Sequence, residues 1–161
     1  MSWLGLRCGI LTLSDSRDRS RDGSGDALQQ LVREYGGELA VRTLIPDDRQ
    51  RIADTLADWA DTHTLDVILT TGGTGPGPRD VTPEATRDVC DRVLDGFAEQ
   101  IRRAGLEQVR SALFTRGVSA FRKRTLVINL PGSRRGATHS LKAVADLVPH
   151  AIRMAHGGGH E

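Results

Sequence analysis

A chain of 161 residues is sized for one domain with a buried core, and a formal net charge of +1 excludes a protein built to coat nucleic acid or an anionic membrane. Aromatic residues make up 4% of the chain, so the core must come from Leu, Ile, Val and Ala. No apolar run reaches the roughly 20 residues of a membrane span, and Met1–Arg7 lacks the apolar core of a signal peptide, so a cytoplasmic protein without membrane contact is expected. Cys8 and Cys90 show no ligand spacing and sit on apolar faces, which predicts two buried small hydrophobes in a reducing compartment.

In chain order, Arg7 to Ser14 reads as a first buried strand, followed by a long charged loop from Asp15 to Ser24. Asp26 to Tyr35 has Leu28, Leu31, Val32 and Tyr35 on one helical face, and Gly36-Gly37 ends it. Glu38 to Ile45 is a second strand, and Pro46-Asp47-Asp48 opens a helix to about His63 with Ile52, Leu56, Trp59 and Ala60 inward. Val67 to Thr71 is a third strand that stops at Gly72-Gly73-Thr74-Gly75. Thr82-Pro83-Glu84 predicts a helix start with Thr82 as the cap, running to about Val89. A further helix spans Gly96 to Ala104, and Leu106 to Arg124 has room for a short hairpin. Thr125 to Leu130 is the last strand, followed by Pro131-Gly132-Ser133. A single final helix over Thr138 to Met154 would turn Leu141, Val144, Ala145, Val148 and Ile152 inward. Residues 1–156 form one expected domain, and 157–161 an expected flexible tail.

Strands alternating with helices imply an α/β fold, a mostly parallel sheet with helices on both faces. Ligands then bind outside the carboxyl ends of the strands. Four polar or glycine-rich clusters follow strands: Ser14-Asp15, Asp47-Asp48, Gly72 to Asp80, and Asn129 to Ser133. Parallel strands would gather them at one edge.

Neither G-x-G-x-x-G at the first strand–helix junction nor G-x-x-x-x-G-K-[ST] is present, and G-x-S-x-G is missing too. A phosphate cradle with carboxylates remains. Backbone amides of the Thr70–Gly75 loop suit an anion, and Asp47 and Asp80 offer hard oxygens for Mg²⁺ on nucleotide phosphates. Asp47 is equally placed to cap the second helix, with Gln50 as capping-box partner. Asp80 has no evident structural task if Thr82 supplies the next cap. Ser14 and Asp15 either meet a ligand or close a turn, and Asn129 either meets a ligand or pins the turn before Pro131. Arg79, Arg116, Arg122, Arg134 and Arg135 either meet anions or lie on the solvated surface.

Three stretches in register, Thr70–Gly75, Arg79–Ala85 and Asn129–Ser133, resemble the MoaB/Mog family of molybdenum cofactor biosynthesis proteins. The likeness extends to Leu13-Ser14-Asp15, Ile45–Asp48, Gly96-Phe97 and Leu147–Ala151, and so covers nearly the whole chain. It implies a three-layer molybdopterin-binding fold and a homotrimer or dimer of trimers. It also implies MgATP-dependent adenylylation of molybdopterin with release of pyrophosphate, and a molybdenum insertion protein as partner. The family's two carboxylates fall on Asp47 and Asp80, as catalytic and metal-holding residues. Its binding positions fall on Ser14, Asp15, Thr71, Gly72, Gly73, Thr74, Gly75, Thr115, Asn129, Pro131, Gly132, Ser133 and Arg135. Arg134-Arg135 stands where Pro-Lys is common, and Thr115-Arg116 where Ser-Arg is usual. The alternative is a non-catalytic molybdopterin carrier or oligomeric partner protein.

Overall fold

The computed structural model describes residues 2–159. Strands β1 (Arg7–Leu13), β2 (Glu38–Ile45), β3 (Val67–Thr71), β4 (Arg92–Val93), β5 (Ser119–Arg122) and β6 (Thr125–Leu130) form one six-stranded sheet in the order β2-β1-β3-β6-β5-β4. β2, β1, β3 and β6 run parallel, and β5 and β4 close one edge antiparallel. Strands covered on both faces need apolar residues at every position rather than at alternate ones. β3 and β6 are buried throughout, and β1 from its second residue onward, matching their continuous apolar runs.

Helices α1 (Gly23–Glu34), α4 (Asp95–Leu106), α5 (Arg134–Lys142) and α6 (Val148–Ala155) cover one face, and α2 (Arg49–Thr62) and α3 (Thr82–Val89) the other. The first layer packs Leu28, Leu31, Ile101, Leu141, Val148 and Ile152 against Ile10, Leu69 and Ile128. The second packs Ile52, Leu56, Trp59 and Ala85 against Leu11, Ile68 and Val127. Successive side chains of a strand point to opposite faces, so adjacent residues such as Ile68 and Leu69 serve different layers. Among the described residues, no helix is long and apolar enough to cross a membrane.

The structure corrects the expected elements in several places. The single final helix is two: α5 starts at Arg134, and α6 carries Pro149 in its first turn, where a missing N–H costs nothing. Val144 and Ala145 stay buried in the intervening turn, so the apolar spacing continued across a break in the helix. Thr82 is not a cap. Val81 occupies that position without a side-chain bond, and Thr82 Oγ1 donates to Gly72 O at 3.0 Å. The hairpin is formed by β5 and β6, turning at Lys123 (φ +53°), and is preceded by a 3₁₀ turn over Arg110–Phe114. β4 is too short to leave a pattern.

Cys8 is buried and Cys90 only half-buried, and both are free. Burial, aided by Asp66 and Glu38, pushes the Cys8 thiol up to about 12. Burial and Asp91 do the same for Cys90, so both stay protonated at neutral pH. Gly157 N–H donates to Met154 O at 3.0 Å and Gly158 N–H to Arg153 O at 2.9 Å, closing α6 with a left-handed glycine. His160 and Glu161 of the expected tail lie outside the described residues.

Candidate functional site

The four parallel strands end together. Ser14 N–H donates to Ile45 O and Gly72 N–H to Leu130 O, each at 3.1 Å, so the segments after β1, β2, β3 and β6 meet at one edge. Topology thus brings together clusters widely separated in sequence.

An acidic corner forms on one side of the glycine loop. Asp48, not Asp47, caps α2: its Oδ1 accepts from Arg51 N–H at 2.9 Å. Asp47 N–H donates to Asp15 Oδ1 at 3.0 Å, and Arg79 forks onto the same Asp15 carboxylate at 2.9 and 3.2 Å. Asp15 therefore organises the corner instead of closing a local turn. Asp47 Oδ1 is buried and has no hydrogen-bond partner among the described residues. Burial first, then the charges of Asp15 and Asp80, hold the Asp47 carboxyl above its ordinary range. Asp80 Oδ2 accepts from Gly77 N–H at 3.0 Å, a structural bond the sequence did not suggest.

Glycine is required where this corner meets the loop. Gly72 has φ +103° and Gly73 φ +67°, both in the region that L side chains avoid. A Cβ on Gly72 would stand 2.3 Å from Leu13 O. One on Gly73 would stand 2.4 Å from Thr82 Oγ1 and 2.8 Å from Asp47 Oδ1. Bare backbone at Gly75 and Gly77 likewise leaves room for the Asp80 carboxylate.

On the other side of the loop lies a cleft of about 300 Å³. Thr74, Gly75, Thr115, Pro131, Ser133 and Arg135 line it, together with Ile101, Gln108, Ala112 and His139. Gly75 belongs to both sides. Ser133 Oγ accepts from Gly136 N–H at 3.0 Å and caps α5, so it is both a wall residue and a cap. Arg135 donates to Gln108 Oε1 at 2.6 and 2.9 Å. Asp47 and Asp80 do not line this cleft.

Three expected ligand residues spend their polar groups internally. Ser14 Oγ accepts from Arg17 N–H at 3.0 Å and closes a turn. Thr71 Oγ1 donates to Pro131 O at 2.7 Å. Asn129 is buried: its Oδ1 accepts from Val118 N–H, and its Nδ2 donates to Thr70 and Thr86 hydroxyls, all at 3.0 Å. Gly132 O accepts from Arg17 at 2.9 Å, tying the charged first loop to the last one. Gln108 and His139 were missed because they come from α4's end and α5, neither adjacent to a recognisable motif. Glu84, which the sequence places only at a helix start, pairs with Arg116, whose guanidinium lowers its carboxyl pKa.

The corner suits a cation. An orphaned buried carboxylate oxygen, with two further carboxylates nearby, is a site that positive charge would stabilise. Among the described residues no group of three or more His, Cys, Asp or Glu is arranged to hold a metal alone. Further ligands would have to come from substrate and water.

A family described as "Probable molybdopterin binding domain" matches residues 9–150. The chain is 36% identical over 169 residues to the molybdopterin adenylyltransferase of Escherichia coli K12, covering 94% of this chain and 86% of that one. Molybdenum cofactor synthesis protein cinnamon of Drosophila melanogaster is 36% identical over 149 residues, which cover 91% of this chain but a quarter (25%) of the fly protein. Among solved structures, molybdopterin biosynthesis enzyme MoaB of Thermus thermophilus superposes with a TM-score of 0.88 at 44% identity, over 97% of this chain and 99% of that one.

Proposed function

The chain belongs to the molybdopterin-binding domain family, and from that premise we propose that it is a molybdopterin adenylyltransferase of molybdenum cofactor biosynthesis. The observation that carries this reading is the orphaned Asp47 Oδ1, held beside the positive-φ Gly72–Gly73 turn at the carboxyl edge of the sheet. Structural carboxylates are normally satisfied, as Asp48 is. An unsatisfied one, with its pKa raised by burial and neighbouring charge, marks a site that awaits a ligand.

In the proposed reaction the terminal phosphate oxygen of molybdopterin attacks the α-phosphorus of ATP. The bond to the β-phosphate bridging oxygen breaks, and pyrophosphate leaves. Asp47 and Asp80 would hold Mg²⁺, which when bound supplies charge neutralisation on the phosphates. The remaining work is positioning. The amides of Gly73, Thr74 and Gly75 face the phosphates, while the Gly72 N–H is spent on Leu130 O and anchors the loop, and Asp15 fixes the backbone of Asp47 by accepting from its N–H. The cleft lined by Thr74, Thr115, Ser133 and Arg135 takes the pterin side of the substrate, and Gly75 sits where the two halves meet. No general base is needed, because the attacking phosphate is already ionised at neutral pH.

The same reading includes a cytoplasmic single domain, a homotrimer or dimer of trimers, and hand-over of product to a molybdenum insertion protein. Incubation with α-³²P-labelled ATP, Mg²⁺ and molybdopterin tests it. Label transferred to the pterin product supports the enzyme. Tight pterin binding without transfer would make the protein a carrier.

A further inference from the structure

Arg116 precedes β5, next to the cleft residue Thr115, and its side chain reaches back to the loop that carries Asp80. Its Nε donates to Gly75 O at 2.8 Å and its Nη2 to Asp80 O at 2.8 Å, while its own N–H donates to Thr74 O at 2.8 Å. The third nitrogen, Nη1, pairs with Glu84 on α3. One planar fork therefore grips both ends of the Gly75–Asp80 loop, and a carboxylate from a packed helix orients it. All three guanidinium nitrogens are engaged, so Arg116 is not the free anion ligand its sequence position allowed.

The loop needs an external hold. It contains glycines at 75 and 77, and two short bonds tie its far end: Asp80 N–H to Gly77 O and Gly77 N–H to Asp80 Oδ2, each at 3.0 Å. Those bonds relate Asp80 to Gly77 but do not place either relative to β3 or α3. The Arg116 fork does, by fixing the carbonyls before and after them, alongside the Arg79 pair with Asp15 and the Thr82 bonds to Gly72 and Gly73.

We propose that Arg116 is the positioning residue for Asp80, setting the place of its carboxylate by gripping the Gly75 and Asp80 carbonyls, with Glu84 as the counter-ion that aims the fork. The inference rests on the catalytic reading of Asp80 given above. Lysine, a point charge without the fork, cannot span three acceptors.

The test uses Arg116→Lys, which keeps the charge and the pairing to Glu84, beside Arg116→Ala. Turnover with MgATP and molybdopterin should fall at least about tenfold in Arg116→Lys, as for other groups that orient a ligand. Molybdopterin affinity should fall by less than turnover does, because Arg116 itself does not line the cleft and, of the two carbonyls its side chain holds, only that of Gly75 belongs to a cleft residue. Independently of activity, amide exchange at Gly77, whose N–H is bonded to Asp80 Oδ2, should quicken at least about tenfold in Arg116→Lys while β3 amides stay protected. Unchanged Gly77 exchange would overturn the grip, and quickened exchange with full turnover would overturn its role for Asp80. A wild-type protein without turnover sinks the adenylyltransferase reading instead, and Gly77 exchange then decides the grip alone.

Discussion

The Asp48 carboxylate takes the Arg51 N–H at 2.9 Å and caps α2, while the Asp47 carboxylate beside it keeps a buried Oδ1 that no donor reaches among the described residues. From the sequence Asp47 is the cap candidate, yet the cap is Asp48: both precede the first helical turn, and a shift of one residue rotates the side chain by roughly 100°. The two should respond oppositely to substitution. Asp48→Ala removes a cap and should cost about 1 kcal/mol in urea denaturation, with turnover nearly unchanged. Asp47→Asn should do the reverse. A carboxyl whose folded-state pKa is raised contributes stability below its unfolded pKa and loses it as pH rises through the folded pKa. At neutral pH the ionised Asp47 therefore opposes folding, so Asp47→Asn should raise the melting temperature at pH 7 while turnover falls at least about 100-fold. A variant that melts lower at pH 7 would contradict the electrostatic account of this residue. Asp80 was read as having no structural task because Thr82 was expected to cap α3. Thr82 instead bonds Gly72 O, and Asp80 bonds Gly77 N–H, so both serve the loop.

The loop between β3 and α3 shows how element geometry builds the site. β1, β3 and β6 were readable as buried strands because a sheet covered on both faces needs apolar residues at every position. The gathering of four clusters at one edge followed from parallel connectivity. What connects the two sides of the glycine loop was not readable, since Arg116 and Glu84 lie 32 positions apart and, although each falls in a recognisable stretch, neither stretch signals a pairing with the other. Likewise, the unbroken apolar spacing over 138–154 concealed the turn between α5 and α6, where Val144 and Ala145 stay buried without being helical. The glycine positions carry the strongest element-scale prediction. Gly72→Ala would force a Cβ to within 2.3 Å of Leu13 O at φ +103°, and should destabilise by about 2 kcal/mol or more. Gly73→Ala adds a clash with Asp47 Oδ1 and should lower turnover as well as stability. A wild-type urea midpoint in Gly72→Ala would refute this geometry.

Across the molecule, a second polar centre ties the charged first loop to the sheet. Asp22 is buried, accepts from Thr12 Oγ1 at 2.8 Å and Gly25 N–H at 3.0 Å, and pairs with Arg42 at 3.0 Å. Burial alone would raise its carboxyl pKa, but the bonds from Thr12, Arg42 and Gly25 outweigh it and hold the pKa below the usual range. A lowered folded-state pKa contributes stability above the unfolded pKa that is lost as pH falls through the folded one. Asp22→Asn should thus cost about 3 kcal/mol at pH 7, by leaving Arg42 with Asp26 as its remaining carboxylate, and should remove part of the acid slope below about pH 4. Equal acid slopes in both proteins would exclude Asp22 as a source of acid sensitivity. These scales meet at one loop: a parallel sheet delivers an unsatisfied acidic corner and a cleft to the two sides of the glycine loop, and adenylyl transfer to molybdopterin is the use proposed for that arrangement. The most direct test of that use is pyrophosphate release from the purified protein with MgATP, with and without molybdopterin, beside an Asp80→Ala control. Adenylyltransferase chemistry predicts release that depends on molybdopterin and disappears in the control. Pterin binding with no release, or release that survives in Asp80→Ala, would contradict it.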